Sequence, residues 1–388
     1  MKLYLLAGEP SGDKLGVALI EGLKSLVPDL TLKGVAGPNM QSAGMDSLFP
    51  MEDLSVMGLT EVLPKYPELK RRLNQATEDC LAFKPDALIT IDAPDFSLRL
   101  AKGVREQTSN IKTIHYVAPS VWAWRAGRAE KMARHIDHVL ALLPFEPPLM
   151  EKTGMTCDFV GHPVVSAPRA TDEEAVAFRQ TSGIGEAPMI LVLPGSRRNE
   201  VTRLAPTFGE ALRATLAQHP NAKTVVPAAA PVASTVQEAT RNWPGDVTVI
   251  DPRDDAQAEA KKRAAFKGAD VALAASGTVS LELAANATPM VIAYDMSWLT
   301  WQIMSRMVKV DTVTLINLIT KTKTVPEFLG PACKPAAISD ALNALLGDAS
   351  AQAAQKEAMS KAMQTLGEGG EAPGLRAARS VLNALDTD

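Results

Sequence analysis

The residues best suited to chemistry stand where apolar runs end in glycine and charge. Residues 189–201 read MILVLPGSRRNEV, a strand-like run followed by Gly195, Ser196, Arg197, Arg198 and Glu200. A strand that stops at a glycine exposes backbone N–H groups at the start of the next helix, and with two guanidinium groups they would bind a phosphorylated ligand. An ordinary strand–turn–helix connection with a solvated arginine pair is the alternative for this turn taken alone.

A second turn of the same kind follows in residues 274–282, AASGTVSLE. Ser276 is predicted to cap the next helix, and Gly277 would let a phosphate approach the N–H groups as far as Thr278. Glu282, one turn further on, could accept hydrogen bonds from ribose hydroxyls. Two such turns in one sheet indicate a nucleotide diphosphate, although neither turn is a Walker loop or a G-x-G-x-x-G fingerprint.

Paired carboxylates follow another predicted strand. Residues 86–91 run directly into Asp92 and Asp95, the position at which catalytic groups lie in parallel α/β sheets. Either carboxylate could act as a general base, since two close acids push their pKa values apart. Capping of the following helix by Asp92 or Asp95 is an equally weighted alternative.

Aromatic and cationic residues follow the strand predicted at 113–117. Trp122 and Trp124 flank a turn, and Arg125 follows them. This group resembles a wall for a ring-bearing anionic substrate. A hydrophobic corner between helices is the alternative.

Residues 51–73 combine apolar and basic side chains. Val56, Met57 and Leu63 stand close to Lys70 and Arg71, as an interfacial membrane surface requires. Most such stripes instead face a core, with their basic side in solvent.

Composition narrows the class of partner. The 388 residues are 46% hydrophobic and 22% charged with a net charge of −4, which gives no reason to expect nucleic acid and favours a small-molecule or lipid partner. Cys80, Cys157 and Cys333 suit a reducing compartment rather than a disulfide framework or a zinc site. The opening apolar run is too short for a signal sequence, and no segment approaches the roughly 18 apolar residues of a spanning helix, so we expect any membrane contact to be peripheral.

Strand and helix patterns alternate along the whole chain, which predicts an α/β fold with two Rossmann-like parallel-sheet domains. Strands are predicted at residues 3–7, 32–36, 86–91, 113–117, 139–143, 159–160, 189–193, 224–227, 247–250, 271–274 and 290–293. The predicted domains are 1–165, which contains the combined basic and apolar segment, and 166–335, which contains both glycine turns. Helices in 336–388 are expected to cross back onto the first domain or to pack on a partner subunit in a homodimer.

The motifs taken together resemble one family. They occur in the order AGEPSGD, MGLTEVLP, IDAPDFSLRLAK, HYVAPSVWAWR, PFE, FVGHP, LPGSRRNEV, SGTVSLE and NLI…VPEFL. This series is similar to the lipid-A-disaccharide synthases, which are bacterial inverting glycosyltransferases of the GT-B fold, with two Rossmann-like domains facing a central cleft. The resemblance covers roughly residues 3–330 and is specific as a set.

The resemblance implies a reaction between two lipids at the inner membrane. A 2,3-diacylglucosamine unit would pass from its UDP derivative to the 6-hydroxyl of 2,3-diacylglucosamine 1-phosphate, forming a β-1,6 disaccharide and UDP. The enzyme would be cytoplasmic and peripherally bound to the membrane, with no cofactor. Its only D-x-D triplet is at 386–388, so fixed cations rather than a chelated metal are expected to neutralise the diphosphate.

The same resemblance assigns roles to the candidate residues. Asp95 would be the base that activates the hydroxyl, with Asp92 and Glu9 as the next candidates. Arg198, Arg197 and the helix start at 276–278 would stabilise the departing UDP, and Glu282 would hold the ribose. The acceptor and its acyl chains would contact Ser11, Val56, Met57, Leu63, Trp122, Arg125 and Asn317.

Two other functions fit the nucleotide turns. Another GT-B enzyme acting on UDP-N-acetylglucosamine would use them without a basic and apolar membrane surface. A two-domain nucleotide-binding regulator would bind UDP without turnover. A dinucleotide oxidoreductase is disfavoured because its fingerprint is missing.

Overall fold

Short apolar runs form two six-stranded sheets, and every strand pairing in them is parallel. The structure, a computed structural model, describes residues 1–54, 59–122, 127–253, 255–307 and 310–386, with the backbone alone at 59–65, 299, 303 and 304. The strands are β1 (Lys2–Ala7), β2 (Thr31–Val35), β3 (Ala87–Ile91), β4 (Lys112–Tyr116), β5 (His138–Ala141), β6 (Thr156–Phe159), β7 (Met189–Leu193), β8 (Lys223–Pro227), β9 (Val247–Ile250), β10 (Val271–Ala275), β11 (Met290–Tyr294) and β12 (Glu327–Leu329).

Helices connect the strands, as parallel pairing requires. They are α1 (Pro10–Leu26), α2 (Pro38–Ser42), α3 (Leu59–Phe83), α4 (Pro94–Arg105), α5 (Gly127–Met132), α6 (Pro147–Glu151), α7 (Asp172–Thr181), α8 (Arg198–Gln218), α9 (Ala233–Thr240), α10 (Ala258–Gly268), α11 (Val279–Ala285), α12 (Trp298–Met307), α13 (Leu315–Thr320), α14 (Pro335–Gly347), α15 (Ala349–Thr365) and α16 (Pro373–Asp386). Parallel sheets with alternating helices confirm the predicted α/β class.

The chain divides into two units. Met1–Ser166 and Leu366–Asp388 form the N-terminal unit, and Ala167–Thr365 forms the C-terminal unit. The structure therefore differs from the predicted segment 336–388. Its first two helices, α14 and α15, belong to the C-terminal unit, and only α16 belongs to the N-terminal unit.

In the N-terminal unit the strand order is β2-β1-β3-β4-β5-β6. The order reverses between β1 and β3, and at such a switch point the loops beyond the carboxyl ends diverge and leave a crevice. Strand β3 is buried along its whole length, as expected for a sheet covered on both faces. The turns that follow β1 and β3 therefore lie beside each other.

Helix α16 closes this unit by packing on α1 through glycines. A Cβ built on Gly22 would lie 2.6 Å from the carbonyl oxygen of Gly374, and one on Gly374 would lie 2.5 Å from that of Ala18. A polar contact adds to this packing, since Ser380 Oγ lies 2.8 Å from His138 Nε2 and donates to Asp158 at 2.6 Å. The two helix backbones can approach this closely only because no side chains separate them.

In the C-terminal unit the strand order is β12-β11-β10-β7-β8-β9. Here the order reverses between β7 and β10, which are paired with Leu193 opposite Ala274. The two glycine turns of the sequence analysis begin at the carboxyl ends of these two strands. The fold thus brings together two turns that are far apart in the sequence.

The contact between α1 and α16 gives a first prediction. Gly374→Ala should destabilise the N-terminal unit by about 1–3 kcal/mol, because the new methyl group would force two backbones apart. The thermal unfolding midpoint should fall, and protease should cleave near residue 370 more readily.

Gly347→Ala is the matched control, since a Cβ there would meet no heavy atom within 4 Å among the described residues. If Gly374→Ala unfolded like this control, close packing of α16 would not be a constraint on the fold.

Candidate functional sites

A cavity of about 600 Å³ lies in the C-terminal unit at the switch point between β7 and β10. Eight of the nine residues predicted to bind the nucleotide line it, namely Gly195, Ser196, Arg197, Glu200, Ser276, Gly277, Thr278 and Glu282. The ninth, Arg198, is the exposed first residue of α8 and is outside this lining. The structure therefore brings two separate sequence motifs into one concave site, the usual location of a ligand in this architecture.

In the first turn, the Glu200 carboxylate binds the backbone N–H groups of the turn itself. Glu200 folds back so that its carboxylate accepts the N–H groups of Ser196 at 3.1 Å and Arg197 at 3.3 Å, and it also contacts the Arg197 guanidinium at 3.3 Å. Gly195 adopts φ +120° and passes so close that a Cβ there would lie 2.6 Å from Glu200 Oε2. The backbone donors predicted for a phosphate are therefore bonded to Glu200 in this structure. The guanidinium groups remain as the main phosphate-binding groups of this turn.

The second turn is not capped as the sequence suggested. Thr278, not Ser276, is the N-cap residue of α11, and no side chain caps the helix. The predicted cap at Ser276 is wrong because the helix begins two residues later than expected, after a turn at Gly277 with φ +157°. Gly277 and Thr278 are exposed on the cavity side of the sheet.

Helix α10 forms a wall of the cavity that the sequence analysis missed. Lys262 lies on this wall, and its ammonium group is 3.0 Å from Glu282 Oε2. The signal was present in the spacing of Ala258, Lys262 and Phe266, which places all three on one helix face. A helical stripe without a motif, however, does not distinguish a cavity wall from a core face.

In the N-terminal unit, the turns after β1 and β3 bring Ser11 and Asp92 together. Ser11, in the first turn of α1, donates its hydroxyl to Asp92 Oδ2 at 2.9 Å. Glu9 is the half-buried N-cap residue of α1, and its side chain does not cap the helix. Ser11 therefore orients one of the two candidate catalytic carboxylates.

The backbone is strained at this edge of the sheet. Asp92 and Ala93 adopt φ +54° and +44°, and Val117 after β4 adopts φ +88°, conformations that are uncommon for these residue types and unfavourable for valine. The strained residues are held by surrounding bonds, since Asp92 N–H donates to Tyr116 O at 3.0 Å and Ser97 Oγ donates to Asp92 O at 2.7 Å. Strain of this kind clusters at functional sites.

The alternative reading of Asp92 and Asp95 as helix caps is wrong. The N-cap residue of α4 is Ala93, and no side chain caps this helix. The Asp92 carboxylate instead faces Ser11, and the Asp95 side chain is 96% exposed with Arg128 at 4.0 Å. Neither carboxylate is therefore used as a helix cap.

The aromatic turn is a packed corner where it is described. The Trp122 ring meets Phe145 edge-on at a centroid distance of 5.4 Å. Next to it lies Glu146, which the sequence analysis passed over as part of the PFE motif. Glu146 is only 3% exposed and accepts the N–H of Leu143 at 2.9 Å; burial raises its pKa to about 7, opposed by its hydrogen bonds.

Of the remaining residues predicted to bind the acceptor or its acyl chains, the structure describes only some. Val56, Met57 and Arg125 lie outside the described residues, as does the side chain of Leu63. Asn317 is buried, and its carboxamide bonds to the backbone of Val325 in both directions, at 2.9 and 3.0 Å. These bonds give Asn317 a structural role, and its contact with the acceptor stays a prediction.

Helix α3 faces a core over its described side chains. Leu69, Leu73 and Ala76 pack towards the sheet, whereas Tyr66, Lys70 and Arg71 are exposed. For residues 66–83 the core-facing alternative therefore holds, with a basic side in solvent. Within the described ranges, no helix combines the length and apolarity needed to cross a bilayer, and the described His, Cys, Asp and Glu side chains form no group of three suited to a metal ion.

Comparisons with known proteins agree on one family. A family model described as lipid-A-disaccharide synthetase matches residues 3–374. The lipid-A-disaccharide synthase of Ruegeria pomeroyi is 58% identical over 99% of this chain and 96% of its own length. That of Rhodospirillum centenum is 44% identical over 99% and 94%.

Solved structures share the fold at low identity. UDP-GlcNAc 2-epimerase from Neisseria meningitidis bound to UDP-GlcNAc superposes with a TM-score of 0.64 at 12% identity, covering 100% of both chains. The calicheamicin glycosyltransferase gives a TM-score of 0.56 at 14% identity, covering 100% of this chain and 98% of its own. These matches confirm the predicted GT-B class and, at such identities, concern the fold alone.

Glu146 gives a prediction about pH. Its pKa is raised from 4.5 to about 7 in the folded protein, so between these values the folded state holds a proton that the unfolded state has lost. The free energy of unfolding therefore falls as pH rises from about 4.5 to about 7, by at most about 3 kcal/mol. Glu146→Gln should remove this loss of stability with pH. The stability of the variant relative to the wild type should therefore be higher at pH 8 than at pH 5.

Thermal unfolding at both pH values measures the effect. Glu151→Gln, an exposed glutamate at the end of α6, controls for the loss of one negative charge. Equal pH dependence in the wild type and Glu146→Gln would contradict a buried, protonated Glu146.

Proposed function

Because this chain belongs to the lipid-A-disaccharide synthetase family, we propose that it transfers a 2,3-diacylglucosamine unit from its UDP derivative to 2,3-diacylglucosamine 1-phosphate, forming the β-1,6 disaccharide 1-phosphate and UDP. The family match over residues 3–374 carries this conclusion. The cavity lined by both glycine turns supports it, since it offers cations and a carboxylate to a nucleotide. The chain is thus a hexosyltransferase, and the alternatives of a UDP-N-acetylglucosamine enzyme or a non-catalytic regulator are not favoured.

The C-terminal unit would stabilise the leaving group. Cleavage of the sugar–phosphate bond places negative charge on the β-phosphate, which the guanidinium groups of Arg197 and Arg198 would neutralise. Glu282 would accept hydrogen bonds from the ribose, and Ser276, Gly277 and Thr278 would contact the phosphates. Fixed cations would thus supply the charge stabilisation that a metal ion supplies in other transferases.

The N-terminal unit would supply the base. Attack by the acceptor hydroxyl requires removal of its proton, and Asp95 is our first candidate because its carboxylate is fully accessible. Asp92 is the second candidate, since Ser11 and a constrained backbone hold it in one orientation. Glu9 is the third.

The substrates also imply a membrane surface. Both carry acyl chains, so we propose peripheral association with the inner membrane through residues 56–73, and contact of the acceptor with Trp122. Exposed Tyr66, Lys70 and Arg71 on α3 support this, because an aromatic ring beside two cations suits an anionic lipid surface.

The reaction is tested by UDP release. We expect release from the diacylated UDP donor with the lipid acceptor, and none from UDP-N-acetylglucosamine. Asp95→Asn should lower kcat by about 10²-fold or more while leaving UDP binding unchanged, because only proton transfer is affected.

Glu106→Gln, at the other end of the same helix, is the control for charge. If Asp95→Asn kept full activity and Asp92→Asn lost it, Asp92 would be the base. Turnover of the non-acylated donor would contradict the proposed substrate.

Membrane association is tested by sedimentation with vesicles containing anionic lipid. Replacing Lys70 and Arg71 together with glutamine should weaken binding about thirtyfold, since each cation near a charged surface contributes about 1 kcal/mol. The pair Lys356→Gln and Lys361→Gln on α15, both exposed, changes the net charge equally. Equal binding of the two double variants would argue against α3 as the membrane contact.

A further inference from the structure

One face of α10 forms part of the cavity in the C-terminal unit. Ala258, Glu259, Lys262 and Phe266 all line it, and their spacing repeats every turn of the helix. None of these residues was assigned a role above, although Lys262 carries the only ammonium group among the described residues that line the cavity. A cation in this position is expected to contact the ligand.

The Lys262 ammonium group is held from two sides. It lies 3.0 Å from Glu282 Oε2 and 5.4 Å from the centre of the Phe266 ring. The ion pair is about one-third exposed at Lys262 and less than half exposed at Glu282, so it contributes little to stability. Its position in the cavity is therefore better explained by ligand binding than by folding.

A lysine–carboxylate pair matches the chemistry of a vicinal diol. Each hydroxyl group is both a donor and an acceptor. A carboxylate alone satisfies only the hydroxyl protons, whereas an adjacent ammonium group with three N–H donors can also bond to the hydroxyl oxygens. The ion pair also holds Glu282 in place before the ligand arrives, which reduces the cost of ordering it.

We propose that Lys262 and Glu282 together bind the 2′,3′-diol of the ribose through hydrogen bonds. Lys262 is then a specificity-determining residue that favours ribonucleotides over deoxyribonucleotides. This inference rests on the proposed nucleotide site. A ligand without the 2′-hydroxyl leaves one of the two charged groups with an unmatched hydrogen bond, which is the basis of strong discrimination against analogues.

The experiment compares the Kd values of UDP and 2′-deoxy-UDP by titration calorimetry, without lipid substrates. We expect the wild type to prefer UDP by about tenfold or more, given that one good hydrogen bond to a charged group is lost. Lys262→Met keeps an unbranched stem against Phe266 but has no donor. It should weaken UDP binding about tenfold and deoxy-UDP binding much less, so that the preference falls towards one.

Two further variants strengthen the test. Lys261→Met alters the neighbouring lysine, which pairs with Asp255 at 2.7 Å and is not among the cavity residues, and it should keep the wild-type preference. Lys262→Arg retains donors and should restore part of the preference. Glu282→Gln should reduce the preference as Lys262→Met does, and it gives an independent measurement if Lys262→Met folds poorly.

The outcomes separate this inference from the proposed function. Failure of the wild-type protein to bind UDP would overturn the nucleotide site itself. Binding of UDP and deoxy-UDP with equal affinity by the wild type would overturn only the diol assignment. An equal weakening of both ligands by Lys262→Met would also overturn it, because a purely structural lysine would produce that result.

Discussion

The parallel pairing of β7 with β10 is the constraint on which the nucleotide site depends. The two strands enter the sheet from different parts of the chain and are fixed in register by backbone hydrogen bonds, with Leu193 opposite Ala274. Because parallel strands end at the same edge, the turns after them must lie side by side. A shift of the register by one residue would reverse the faces of β10 and displace its turn.

This arrangement collects charge in a small volume, and the protein balances that charge internally. The Glu200 carboxylate is matched by two backbone N–H groups and the Arg197 guanidinium, and Glu282 is matched by Lys262. Each pair is accessible from the cavity, so neither bears the full desolvation cost of a buried ion pair. A ligand carrying both phosphates and hydroxyls therefore meets groups already oriented by their partners.

Much of this could be predicted from the sequence, because the information was local. The predicted strands lie within a few residues of eleven observed strands, because short apolar runs bounded by glycine and charged residues indicate buried strands. Strand β12 was not predicted because it has only three residues, each half-buried. The glycine turns were recognised for the same local reason.

The errors came from contacts between residues distant in sequence. Asp92 resembled a helix cap, but Ser11 from another turn occupies its carboxylate. Lys262 lies twenty positions before Glu282, and a sequence without its fold gives no indication that the two side chains meet.

The strain in the N-terminal unit bears on the choice of base. A catalytic carboxylate works best when it needs no reorganisation at the moment of reaction. Asp92 meets this condition, since left-handed backbone conformations at Asp92 and Ala93 are maintained by bonds from Tyr116 and Ser97. Such conformations cost of order 1–3 kcal/mol each and persist only where surrounding structure enforces them.

Asp95 has the opposite properties. Its side chain is 96% exposed, with the Arg128 guanidinium group at 4.0 Å, so it can reach a hydroxyl but must be ordered by the substrate itself. Accessibility therefore favours Asp95, and preorganisation favours Asp92. Under the proposed function, Asp92 would orient the acceptor hydroxyl and Asp95, in the first turn of α4, would remove its proton.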